Sequence, residues 1–192
     1  ELGGSDAYVV LEDADLDAAA TTCVNSRLIN AGQSCIAAKR FVVVKSVAEE
    51  FTRRFVQQMK SKTMGDPTSP DTDIGPQARE DLRDDLHRQV SDSVAKGATL
   101  QLGGEIPDGK GAFYPPTVLT DVKPGMPAYD EEMFGPVAAI IIADDEDQAI
   151  AIANDSPFGL GAAVFTGDSE RGRRIAEDRL QAGACFVNEL VK

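Results

Sequence analysis

Apolar positions along the chain recur with two alternating periods. Residues 8–11 form a short apolar run, and residues 15–28 are rich in Ala and open with acidic side chains that suit the positive end of a helix. Residues 40–45, Arg-Phe-Val-Val-Val-Lys, have the β-branched character of a strand. Behind them Val47, Phe51, Phe55 and Met59 step by four, the stripe of an amphipathic helix, and Ser46 with Glu49 matches a capping box at its start. Residues 65–76 hold three prolines and read as a loop. Leu82, Leu86, Val90 and Val94 predict a second amphipathic helix, closed by Gly97.

The same alternation continues to the C-terminus. Strands are expected at 98–102, 117–120, 137–143, 162–166 and 184–187, and helices at 146–154 and 169–180. The run at 137–143, Val-Ala-Ala-Ile-Ile-Ile-Ala, has no polar face, as in a strand buried on both sides of a parallel sheet. Repeated strand-then-helix units predict an α/β fold, a three-layer sandwich with a mostly parallel sheet and helices on both faces. The chain opens on Glu1 and its last strand ends almost at its last residue. The expectation is therefore one domain over residues 1–192, cut from a longer protein.

Charge narrows the function classes. Nineteen Lys and Arg against 32 Asp and Glu give a net charge of −13, which argues against nucleic acid and anionic membranes as partners. No apolar run approaches the roughly 20 residues of a membrane span, and no signal-peptide pattern is visible. Three cysteines at wide spacing, Cys23, Cys35 and Cys185, form neither a disulfide framework nor a zinc pattern, so a reducing cytoplasm is the expected setting.

Cys35 is the residue with the clearest chemical promise. Cys23 and Cys185 lie within periodic elements, whereas Cys35 lies in the glycine-containing loop Asn30-Ala31-Gly32-Gln33-Ser34-Cys35. A loop thiol can be a nucleophile, a redox sensor or inert, and these residues alone leave all three open. The single histidine, His87, belongs to an amphipathic helix and reads as a surface residue rather than a partner for Cys35. Carboxylates remain: Glu1, and Glu131 and Glu132 ahead of Met133-Phe134-Gly135-Pro136. A carboxylate near a thioester can activate water. Other features read as structural. Gly159-Leu160-Gly161 precedes a strand and lacks the third glycine of a dinucleotide loop. Glu12, Asp13, Asp15 and Asp17 are helix-start charges rather than metal ligands, and Arg171, Arg173 and Arg174 form a solvated helix face.

Taken in order, ELGG, NAGQSC, EEMFGPV and NDSPFGLGAAVFT resemble the aldehyde dehydrogenase superfamily, and the resemblance covers essentially the whole chain. Within it, ELGGSD, GQSCIAAKRF and MGDP followed by DIGPQAREDLRDDLHRQV are most similar to bacterial succinate-semialdehyde dehydrogenase-like enzymes. The resemblance implies the catalytic domain of an NAD- or NADP-dependent enzyme. It places Cys35 as the nucleophile and Glu1 as the general base that activates water. It also places Glu132 on the nicotinamide-side ribose and Phe134 packed beside that ribose, with no metal. It implies a small aldehyde as substrate and a homo-oligomeric intact enzyme, and leaves the oligomeric state of this chain open. It further implies a cofactor domain upstream of Glu1 and a C-terminal tail, both absent here, so that residues 1–192 alone are expected to be inactive in oxidation. Ser5 and Asp6 depart from the Lys or Asn common after ELGG. Two rivals stay open: a coenzyme A-acylating dehydrogenase, and a thiol-redox or binding module with Cys35 as sensor.

Overall fold

The computed structural model describes residues 3–192. Its centre is a seven-stranded sheet formed by β1 (Ala7–Val10), β2 (Arg40–Val44), β3 (Thr99–Leu102), β4 (Thr117–Thr120), β5 (Val137–Ala143), β6 (Gly161–Phe165) and β7 (Ala184–Val187). The strand order is β3-β4-β5-β2-β1-β6-β7. Every pairing is parallel except β3 with β4, which closes one edge as an antiparallel strand. The α/β sandwich expected from the alternating pattern is the observed fold.

Alternation along the strands assigns the two faces. Tyr8, Val10, Phe41, Val43, Ala138, Ile140, Ala163 and Phe165 point to one side. There they meet helices α1 (Leu16–Arg27) and α2 (Lys45–Lys60) through Ala20, Cys23, Phe51, Phe55 and Met59. Val9, Leu11, Val42, Val44, Ala162 and Val164 point to the other, covered by Ala149, Ile150 and Ile175. Leu119, Val137, Ala139 and Ile141 share that side under Leu86 and Val90. The covering helices there are α3 (Glu80–Ala95), α5 (Glu146–Asn154) and α6 (Ser169–Asp178), with the one-turn α4 (Pro127–Asp130) between β4 and β5.

Two local expectations fail for physical reasons. The capping box at Ser46 is not used. Val44 is still paired with Ala143 in the sheet, the chain turns directly into α2, and Val44 itself occupies the cap position without a side-chain hydrogen bond. The four-residue stripe of α3 is not one buried face: Leu86 and Val90 are buried, but Leu82 is 43% and Val94 39% exposed. At 3.6 residues per turn a four-residue step drifts by about 40°, so the ends of a long stripe roll off the contact. Gln89 and Ser93 complete the buried face instead.

Candidate active site

The loops that carry the candidate residues all precede strands. Gly3 and Gly4 lead into β1, Cys35 leads toward β2, and Glu132 to Phe134 lead into β5. The general rule for open α/β sheets puts ligands at the opposite, carboxyl ends of the strands. Because β5, β2 and β1 are adjacent in the sheet, these three entry loops converge.

The Cys35 loop is built on left-handed backbone. After α1 the chain makes a 3-10 turn, Ile29–Gly32, in which Asn30, Ala31 and Gly32 have φ of 50°, 55° and 78°. A Cβ on Gly32 would lie 2.1 Å from the Gly135 carbonyl oxygen, so two loops touch backbone to backbone there. Fully buried Arg27 fastens the turn: its guanidinium donates to Gly32 O at 2.7 Å and Val137 O at 3.3 Å. Gln77 Nε2 donates to Ala31 O at 3.4 Å, and Gln33 Oε1 accepts the Ala78 N–H at 2.8 Å. Cys35 itself is half-buried and belongs to none of the apolar clusters. Among the described residues its backbone N–H has no acceptor. Cys23, by contrast, is sealed in the core, where burial pushes its thiol well up, and Cys185 is half-buried in β7.

Lys39 ties the loops together. Its side chain is fully buried, and its Nζ donates to Ser34 O and Cys35 O, both at 2.8 Å, and lies 3.4 Å from Glu132 Oε1. Burial, helped by the nearby Arg27 charge, pushes the ammonium down to about 8, against the pull of Glu132 and Asp6. Glu132 Oε1 also accepts the Gly4 N–H at 3.0 Å. Gly4 has no alternative: a Cβ there would sit 2.4 Å from Cys35 O. Phe134, 37% exposed, lines a small cavity of about 60 Å³ with Glu132, Gln33, Leu86 and Gln89. Glu1 lies outside the described residues.

Asp6 sits at the base of this assembly, 2% exposed. Its Oδ1 accepts the Gly161 N–H at 3.0 Å, while Oδ2 is buried with no partner among the described residues. Burial raises its carboxyl from 3.8 to about 6, against the lowering effects of the Gly161 N–H, Lys39, Arg27 and Arg40. Between these values the folded chain holds a proton that the unfolded chain has released. The Asp6 contribution to stability therefore falls as pH rises through that window. Asp6→Asn is expected to gain stability relative to the native chain between pH about 4 and pH about 6, read by urea unfolding at both ends. A difference that stays constant across the window would show that Asp6 does not titrate there.

His87 is half-buried on α3, its Nδ1 3.2 Å from the Tyr114 hydroxyl. Gly161 opens β6 and serves Asp6, so the glycines at 159 and 161 belong to a strand entry. Asp15 caps α1 through the Asp17 and Ala18 N–H groups. Arg171 is not merely solvated: it bonds Glu146 at 2.6 Å and Glu12 at 3.0 Å, tying α6 to α5 and to the β1–α1 turn. Among the described residues no group of His, Cys, Asp or Glu could hold a metal ion, and no helix is long and apolar enough to cross a membrane. Sequence reasoning missed Lys39, Arg27 and Asp6. The available signal for Lys39 was a Lys-Arg pair at the head of a strand that is otherwise wholly apolar.

Comparison with known proteins finds relatives that cover nearly the whole chain. The model of the family described as "Aldehyde dehydrogenase family" matches residues 1–192. A succinate-semialdehyde dehydrogenase [NADP(+)] of Mycobacterium avium (strain 104) is 52% identical over 188 residues, 98% of this chain and 40% of the relative. A succinate semialdehyde dehydrogenase [NAD(P)+] of Escherichia coli (strain K12) is also 52% identical over the same share of each chain. The solved structure of a Mycobacterium tuberculosis aldehyde dehydrogenase complexed with NAD+ superposes with a TM-score of 0.95 at 38% identity, covering 100% of this chain and 40% of that one. The chain thus spans about 40% of the length of these relatives.

Proposed function

The chain belongs to the aldehyde dehydrogenase family, and from that premise we propose that it is the catalytic, nucleophile-bearing domain of an NAD- or NADP-dependent aldehyde dehydrogenase. The proposed substrate is succinate semialdehyde and the product the dicarboxylic acid. The intact enzyme is proposed to be a cytoplasmic homo-oligomer. The observation that carries the reading is the half-exposed Cys35 on a loop bound through Lys39 to Glu132, with the exposed Phe134 lining the same cavity as Glu132. The two 52%-identical relatives carry that substrate and these cofactors in their names.

The Cys35 sulfur, as thiolate, adds to the aldehyde carbon and forms a thiohemiacetal. Its backbone N–H, which has no acceptor among the described residues, is free to donate to the developing oxyanion. The residues present fit the ribose end of a nicotinamide cofactor. Glu132 would offer its carboxylate to the ribose hydroxyls, its Oε2 lies 2.8 Å from where a Gly3 Cβ would be, and the exposed Phe134 lines the same small cavity as Glu132. When bound, NAD(P)+ supplies the acceptor for the hydride that leaves the substrate carbon. Cys35 then holds the acyl group as a thioester. Water activated by a carboxylate, Glu1 in this reading, cleaves it to release the acid and regenerate the thiol.

The test is a cofactor-reduction assay of the full-length gene product with succinate semialdehyde and NAD+ or NADP+. One acid and one NAD(P)H per aldehyde without coenzyme A is the expected result. Turnover only with coenzyme A would identify an acylating enzyme. No turnover in either, with fast alkylation of Cys35, would identify a thiol-redox module. Residues 1–192 alone are expected to form no NAD(P)H.

A further inference from the structure

A core of Val, Ile and Phe does not need an ammonium group, and burying one is costly unless each of its protons finds an acceptor. Lys39 is such a group, fully buried at the head of β2. Its two hydrogen-bond acceptors and its ion partner come from two places distant in sequence. Ser34 O and Cys35 O belong to the nucleophile loop, and Glu132 Oε1 belongs to the entry of β5. A third segment closes the frame: Gly4 N–H binds the same Glu132 oxygen, and the bare Gly4 Cα lets Cys35 O approach. The charged groups facing Lys39 are Arg27 on α1, Asp6 ahead of β1 and Glu132.

Without the ammonium, Cys35 O loses its donor and Ser34 O keeps only the Ala37 N–H at 3.2 Å. Glu132 loses its ion partner and keeps only the Gly4 N–H. We propose that Lys39 is a positioning residue for the reaction, holding the Cys35 backbone and the Glu132 carboxylate in one frame while touching neither substrate nor cofactor. This deepens the dehydrogenase reading and rests on it. Binding energy at the ribose thereby becomes linked to the placement of the sulfur, because the same buried group grips both.

The test compares Lys39→Met and Lys39→Gln in the full-length protein. Met keeps the length and apolar stem but donates nothing; Gln keeps two donors without charge. For Lys39→Met, KM for NAD(P)+ is expected to rise and kcat to fall, each by about tenfold, since misplacement on the ångström scale suffices for such losses. The rate at which iodoacetamide labels Cys35 should change severalfold. Lys39→Gln should restore the labelling rate in part but leave KM for the cofactor high. Combining Lys39→Met with Glu132→Gln should raise that KM less than the product of the two single effects. Should the Met variant not fold, the Gln variant and Glu132→Gln carry the same comparison. A folded Lys39→Met protein with native Cys35 labelling and native cofactor KM would overturn the proposal, whereas a wild-type protein that oxidises no aldehyde counts against the dehydrogenase reading and leaves the labelling comparison to decide the role of Lys39.

Discussion

Replacing Cys35 by Ser in the full-length protein is expected to lower kcat for aldehyde oxidation by a thousandfold or more, on the order of the losses seen when a covalent nucleophile is removed. A hydroxyl is a far weaker nucleophile than a thiolate unless a base activates it. The only histidine, His87 on α3, is engaged by the Tyr114 hydroxyl and is not offered for that role. The oxyester that would form is also a poorer acyl donor to water. Affinity for NAD(P)+ should hardly change, because Lys39 grips the carbonyl of residue 35, which Ser retains. Stability should stay within about 0.5 kcal/mol, as for other half-exposed isosteric changes. Initial rates and cofactor titration of the same preparation check both parts. A Ser variant that kept a tenth of the native kcat would remove Cys35 from the mechanism.

Gly32→Ala is expected to be the most damaging single-methyl change in the loop. The residue has φ of 78°, where an L side chain costs about 1–2 kcal/mol. Its Cβ would meet Gly135 O at 2.1 Å, Gly135 C at 2.2 Å and Pro136 N at 2.7 Å, all of them backbone. Backbone cannot rotate aside, so overpacking adds about 1–3 kcal/mol more. Gly125→Ala is the control: its φ is 89° and nothing lies within 4 Å of the added Cβ. Urea unfolding should therefore show Gly32→Ala less stable than Gly125→Ala by about 1–3 kcal/mol, the steric part alone. Catalysis should drop with it, because relieving the clash moves the turn that leads to Cys35. Equal losses for the two variants would mean that the Gly32–Gly135 contact is not rigid in solution.

The two predictions draw on different kinds of information. The loop position of Cys35 was legible in the sequence, because a cysteine in a glycine-containing loop stands apart from Cys23 in a helix. Gly32 was visible only as a loop glycine; that Gly135, more than a hundred positions away, presses on it was not. The helices show the same limit. The stripe Phe51, Phe55, Met59 is buried as its spacing predicts, since α2 is covered by both the sheet and α1. The equally regular stripe from Leu82 to Val94 loses both ends to solvent, because α3 is covered on one narrow face. Spacing reports where side chains lie around a helix, and the neighbours decide how wide a face is buried.

The amino-acid pattern by itself determined the strands and longer helices, the parallel α/β class and the loop position of Cys35, because each depends on residues near one another in the chain. Tertiary structure decided the site. The Gly4 N–H and Glu132 carboxylate that meet at 3.0 Å are 128 positions apart, and only the order of β5, β2 and β1 in the sheet places their loops side by side. The buried ammonium of Lys39 meets its ion partner Glu132 only where the entries of β2 and β5 converge, although Ser34 O and Cys35 O lie in its own loop.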